Sequence, residues 1–196
     1  MLFRSYEQSL DSSTRRHGGV HYTPYEVAKR LARIALSELP FGPICDPSVG
    51  GGAFLLAAAE YLSEKGVSPK KIIGEYLWGI DLDQGAIEVA RASISIWGST
   101  KVWIPVNEHF AVANSLQSGM RSFLSPPKRG FIAVIGNPPF QNQLQETTVR
   151  PIEETHKLRE KWNVNAGPYA DTASYFLLVA LSMLGPKGKC LLIQPQ

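Results

Sequence analysis

Apolar and polar positions change their spacing repeatedly along this chain, and each change marks an element. Val27, Leu31, Ile34 and Ala35 recur at helical spacing up to about Leu39. Thr23 suits the N-cap of that helix, Pro24 its first position, and Glu26 stands at capping-box distance from Thr23. Pro43-Ile44-Cys45 then reads as a short strand ending in Asp46, followed by a glycine turn and an alanine-rich helix over residues 53–64. A second strand, Tyr76-Leu77-Trp78-Gly79-Ile80, ends in the acids Asp81 and Asp83, and Asp83 caps the helix carrying Ala86, Ile87, Ala90 and Ile94. Phe110-Ala111-Val112-Ala113 predicts a third strand ending at the polar Asn114. Residues 131–135 form an apolar, β-branched run of the kind buried in parallel sheets. Asp171 caps a strongly apolar helix up to Leu184, Gly185-Pro186 ends it, and residues 188–195 predict a fifth strand. Strand and helix alternate throughout, so an α/β fold with a mostly parallel sheet and helices on both faces is expected.

The stretches between these elements are less regular. Residues 1–18 are polar and read as an N-terminal arm, with one domain expected over 19–196. The segment after Gly66, with Pro69, reads as a loop, residues 97–109 carry no clear element, and residues 115–130 read as a polar linker or short helix. Residues 141–169 are a long polar stretch with Arg150, Lys157, Arg159 and Lys161. Loops of that length are usually functional, although a solvated connection fits the composition equally well.

Composition narrows the class. The 196 residues suffice for one sizeable core, with 44% hydrophobic and 19% charged residues. No apolar run approaches the roughly 20 residues of a membrane span, and the N-terminus lacks a signal-peptide core. Cys45 and Cys190 each sit in an apolar run and read as reduced core residues, so a cytoplasmic protein with no membrane partner is expected. A net charge of +3 with dispersed lysines and arginines permits nucleic-acid binding without demanding it.

The candidate chemistry sits just past the fourth strand, in Gly136-Asn137-Pro138-Pro139-Phe140. Ligands of open α/β sheets bind outside the carboxyl ends of strands. Asn137 offers an acceptor oxygen, Pro139 biases Pro138 toward an extended conformation that aims its carbonyl, and Phe140 adds a flat ring. Two acceptors and a ring can hold a planar amino group, and no general base is needed if that amine attacks a strong methyl donor. The same residues also make an ordinary strand followed by a Pro-rich turn. A second candidate is Asp46-Pro47-Ser48-Val49-Gly50-Gly51-Gly52, where glycines allow close backbone approach and Asp46 can accept from a cationic ammonium. It does not make the G-x-G-x-x-G of dinucleotide folds, and no P-loop motif is present. Asp81 stands where a carboxylate binds a ribose diol in Rossmann-like sheets.

Asn137-Pro138-Pro139-Phe140 resembles the catalytic motif of S-adenosylmethionine-dependent amino-methyltransferases, particularly the DNA adenine-N6 methyltransferases. Asp46-Pro47-x-x-Gly50-x-Gly52 is similar to their motif I, and His21-Tyr22-Thr23-Pro24 to their N-terminal Thr-Pro motif. Its place ahead of the glycine loop matches the γ subclass, and the Asp171 helix with the strand after it looks like motifs V and VI. The resemblance implies a Rossmann-like class I methyltransferase fold that binds S-adenosyl-L-methionine and transfers its methyl group to adenine N6 in DNA. The catalytic residues would be Asn137, Pro138, Pro139 and Phe140, acting on an adenine flipped from the stack. The cofactor would be held by His21, Tyr22 and Thr23 at its methionine end, by Asp46, Pro47, Gly50 and Gly52 at the loop, and by Asp81 at the ribose. Ile80 or Leu82 would flank its adenine ring, and Asn114, where the family usually has Asp, would face the adenine amine. No metal is implied.

The family's sheet normally continues into a two-strand hairpin and a target-recognition region, neither of which appears before Gln196. The expectation is therefore a truncated domain completed by a further C-terminal region or a separate specificity subunit. Related enzymes that methylate a protein glutamine or an RNA amine also carry Asn-Pro-Pro, and a non-catalytic cofactor-binding subunit is a third reading. Tyr at position 140 and no Thr-Pro motif would fit the first alternative better than this chain does.

Overall fold

The computed structural model describes residues 23–98, 106–139, 157, 158, 160–162 and 172–194. Among them, five strands pair in parallel: β1 (Ile44–Asp46), β2 (Leu77–Asp81), β3 (Phe110–Val112), β4 (Phe131–Gly136) and β5 (Leu184–Leu192). Their order across the sheet is β3-β2-β1-β4-β5. Four longer helices, α1 (Tyr25–Leu36), α2 (Ala53–Glu64), α3 (Gln84–Trp97) and α4 (Thr172–Met183), cover it.

Successive residues of a strand point to opposite faces, and this sheet is buried on both. Ile44, Leu77, Ala133 and Ile135 share one core with α1, α2 and α3. Cys45, Trp78, Ile80 and Val134 share the other with α4, Leu116, Phe123 and the fully buried Leu158. The chain first winds outward from β1 to β3, then returns to the other side of β1 to start β4. Right-handed crossovers in the two directions put their helices on opposite faces, so the switch point lies between β1 and β4. Helices α1 and α2 are tied by ion pairs, Lys29 to Glu60 at 3.0 Å and Arg33 to Glu64. No described helix is long and apolar enough to cross a membrane.

The predicted alternation of strand and helix is found, with local differences. Helix α1 starts at Tyr25, and Pro24 rather than Thr23 is its N-cap, without a side-chain cap bond. Pro24 holds ψ at 134°, outside the helix, and its carbonyl accepts from the Val27 and Ala28 N–H groups. The Thr23 hydroxyl is thus one residue too early for the capping box with Glu26. The loop at Pro69 is helical instead: Ser68 Oγ accepts from the Lys71 N–H with Pro69 at N1, and a wider turn over Ile72–Tyr76 leads into β2. Strand β3 ends at Val112, because Asn114 caps a short helix, Ser115–Ser118. Strand β5 begins at Leu184, four residues early, through an irregularity that accommodates Lys187 at φ 63°.

The unplaced segment before β3 includes a helical turn, Val106–His109. His109 stacks on Trp78 with ring centroids 3.7 Å apart, and burial lowers its pKa to about 4, so it is neutral at physiological pH. Both cysteines are free, and burial pushes Cys190 up to about 11 and Cys45 well above its ordinary value, which makes both poor nucleophiles. Tyr175 and Phe176 lie in the core, as their apolar helix predicts.

Candidate functional site

Strands β1 and β4 are neighbours in register, Ile44 opposite Ala133 and Cys45 opposite Val134, so both end at the same rim of the sheet. β1 ends in Asp46; β4 ends in Gly136, with Asn137 next. The two ends are in contact. A Cβ built on Gly136 would lie 2.5 Å from Asp46 Oδ1 and 3.1 Å from its Cγ. Only glycine lets the Asp46 carboxylate rest against the backbone that opens Asn137-Pro138-Pro139.

Asp46 is 1% exposed, and its Oδ1 accepts from the Ser48 N–H at 3.0 Å. Desolvation dominates and, helped by the nearby Asp81, pushes its pKa up to about 8 despite the Ser48 bonds. A buried carboxylate in that condition gains from a cation placed beside it. Asp81 shares the desolvation and is also raised, but it has more backbone support. Its Oδ2 accepts from the Gly50 N–H at 2.8 Å, and its Oδ1 from the Asp83 N–H at 3.0 Å. Asp81 therefore ties the glycine loop to the end of β2, and Asp83 caps α3 as predicted, accepting from the Gly85 N–H.

The loop itself is set by backbone conformation. Gly50 and Gly52 have φ of +50° and +88°. A Cβ on Gly52 would come within 3.1 Å of the Ala90 backbone on α3, whereas a Cβ on Gly50 would meet nothing within 4 Å. Gly52 thus serves helix packing, and Gly50 borders open space that a ligand can enter. Pro47 is buried beneath the loop. At the next strand ends, Leu82 is 70% and Val112 54% exposed, two unburied apolar side chains beside Asp81 in the sheet register. They offer an apolar surface on which a heterocycle can lie. Asn114 Oδ1 accepts from the Leu116 N–H at 3.1 Å, which fixes the carboxamide at the start of the short helix.

Thr23 is buried just ahead of α1, Pro138 is buried, and Asn137 and Pro139 are half-buried past β4. The expectations for His21, Tyr22 and Phe140 lie outside the described residues. Asp46, the glycine loop, Asp81, Leu82 and the Asn137 stretch gather along one rim of the sheet, with Asn114 two residues past β3. Sequence reasoning missed Ser48 as the donor to Asp46, Val112 as an exposed apolar residue, and Gly136 as a packing requirement. The glycine standing between an apolar run and Asn137 was the signal for Gly136. Ser48 and Val112 gave none, since both are ordinary residues for a turn and a strand.

The donor set thus comprises two desolvated carboxylates, a glycine loop facing open space, an apolar ledge and a carboxamide in front of two prolines. It suits a cationic nucleoside-type ligand beside a turn that offers hydrogen-bond acceptors. The sequence model of the N-6 DNA Methylase family matches residues 1–196. The chain belongs to that family.

Type II methyltransferase M.VspI of Vibrio sp. (strain 343) is 28% identical over 189 residues, which are 93% of this chain and 38% of that protein. The chain therefore spans well under half the length of this curated relative. Among solved structures, the DrdV–DNA complex superposes with a TM-score of 0.68 at 19% identity, over 96% of this chain and 22% of that one. A class I S-adenosylmethionine-dependent methyltransferase from Listeria monocytogenes gives a TM-score of 0.61 at 14% identity, over 99% of this chain and 50% of that one. At such identities the likeness concerns the fold, and the fold is the class I methyltransferase fold.

Proposed function

We propose that this member of the N-6 DNA methylase family is the catalytic core of a site-specific DNA methyltransferase. It would transfer a methyl group from S-adenosyl-L-methionine to adenine N6. The observation that carries the reading is the contact between Asp46 and Gly136, where the glycine-loop acid touches the start of Asn137-Pro138-Pro139. A donor held by one and an acceptor held by the other meet at the switch point of the sheet.

Residues 19–196 form the methyltransferase domain in this proposal, working in the cytoplasm. Asp46 accepts from the cofactor's ammonium, Asp81 from its ribose hydroxyls and Asn114 from its adenine amine. Leu82 lies along the adenine ring, and His21, Tyr22 and Thr23 close the methionine end. The cofactor supplies an electrophilic methyl group on a sulfonium. Asn137 Oδ1 and the Pro138 carbonyl accept the two N–H bonds of the flipped adenine's amine, with Phe140 stacked on its ring. In that grip the amine is oriented toward the methyl group. On transfer the cofactor's S–C bond would be exchanged for the new N–C bond, and the amine's surplus proton would be released to solvent. No described residue is needed as a base, so orientation and water exclusion are the protein's main contribution. In this proposal the DNA sequence is read through base-edge contacts made by a further recognition region or a separate specificity subunit.

Calorimetric titration with S-adenosylmethionine tests the donor half: binding in the micromolar range is expected, and no heat at millimolar concentration would overturn it. Transfer of labelled methyl groups to DNA tests the acceptor half. Asn137→Ala should abolish transfer while cofactor affinity changes less than about threefold.

A further inference from the structure

The short helix Ser115–Ser118 is held from both ends. At its start, the Leu116 N–H donates to Asn114 Oδ1 at 3.1 Å. At its finish, Lys161 Nζ donates to the Leu116 carbonyl at 3.2 Å and to the Gln117 carbonyl at 3.1 Å. One peptide residue, Leu116, therefore links the Asn114 carboxamide to the Lys161 ammonium, 45 residues after Leu116 in the chain. The contact is supported on both sides. Leu158 is 1% exposed and belongs to the same core cluster as Leu116, and Lys161 Nζ lies 4.9 Å from the Trp162 ring centroid. Arg121 adds a second cation at the helix end, donating to the Gln117 carbonyl at 3.3 Å. Terminal carbonyls of a helix have no partner within it, and a cation is a favourable donor for them.

We propose that Lys161 is a positioning residue for the adenine end of the cofactor site, acting through Leu116 on the side chain of Asn114. The inference rests on the cofactor reading above and deepens it. Lys161 holds the helix that fixes the carboxamide, so Asn114 presents its oxygen to the adenine amine in one orientation.

The test is titration of the full chain with S-adenosylhomocysteine and with its 6-oxo counterpart, S-inosylhomocysteine, which lacks the exocyclic amine. Lys161→Met should weaken S-adenosylhomocysteine about fivefold, which corresponds to roughly 1 kcal/mol. Lys161→Arg should restore most of that affinity. In an Asn114→Ala background the Lys161→Met change should have almost no further effect, and S-inosylhomocysteine should bind both proteins alike. A Lys161→Met chain that binds as wild type would overturn the proposal. So would an equal loss in the Asn114→Ala background or toward the 6-oxo ligand, because a merely structural role predicts such a uniform loss. Lys161→Gln serves as the second variant if the methionine chain does not fold. A wild-type chain that binds neither ligand would overturn the cofactor reading itself, a result distinct from all of these.

Discussion

The ends of β1 and β2 carry the same chemical group in opposite states of readiness. Asp81 on β2 receives the Gly50 and Asp83 N–H groups and is part of the scaffold, since without it the glycine loop loses its tie. Asp46 on β1 is more deeply buried and is raised to about 8 despite its Ser48 bonds. One acid is satisfied by the fold and the other is held against it. Burial alone does not say how ready a carboxylate is for a ligand's cation; the count of donors around it does.

Placing a methyl group between the two strand ends is the severest way to break this arrangement. Gly136→Ala drives its Cβ into the Asp46 carboxylate, so cofactor affinity should fall about 100-fold and stability by about 2 kcal/mol, read by titration and urea unfolding. Adding Asp46→Ala to that variant should recover the stability and leave the affinity lost. Preserved binding in Gly136→Ala would mean that the carboxylate is not where the ligand's cation sits.

Asp46→Asn sharpens the comparison through pH. The folded chain keeps a proton on Asp46 up to about pH 8, whereas the unfolded chain releases it near the ordinary value of 3.8. The unfolded state therefore binds fewer protons between these values, and the unliganded protein should lose stability as pH rises from about 4 to about 8. Urea unfolding at pH 5 and pH 8 should show a loss of at least about 2 kcal/mol in the wild type and a much flatter profile in Asp46→Asn. The same substitution should weaken S-adenosylmethionine about 30-fold, because a neutral amide replaces the partner of an ammonium.

Asp81→Asn should cost less in affinity, about tenfold, but about 1–2 kcal/mol in stability, since an amide has one acceptor oxygen for two N–H donors. Thermal melts of the unliganded chain would show it. A stability loss smaller than that of Asp46→Asn at pH 5 would reverse the roles given to the two acids. The smallest effect belongs to Leu82→Ala. At 70% exposure the side chain contributes little to the core, so the melting temperature should not move while cofactor affinity drops about threefold.

Much of this was legible in the chain because the sheet is buried on both faces. Continuous apolar runs at residues 44–45, 77–80 and 131–135 announce parallel strands, and the acids that end two of them mark the rim. What stayed hidden depends on backbone angles and on partners distant in sequence. Thr23 and Glu26 have the residue types of a capping box, yet the ψ of Pro24 removes Thr23 from the cap. Asn114 was legible as a polar strand end, but its bond to the Leu116 N–H appears only with the short helix after it. Lys161 looked like one charge among several in a polar stretch, and only the fold brings it to the Leu116 carbonyl. The clash between a Gly136 side chain and Asp46 joins positions 90 residues apart, which no local pattern can express.

The contact of Gly136 with Asp46 also bears on engineering by recombination. A crossover between α3 and β3 would place Asp46 and the glycine loop in one half and Gly136 with Asn-Pro-Pro in the other. A hybrid joined there would inherit its acid from one parent and its glycine from the other. Such hybrids should tolerate parents that share this pair and fail with parents that have altered either member, however well the remaining surfaces match. The two halves are portable only as a matched set.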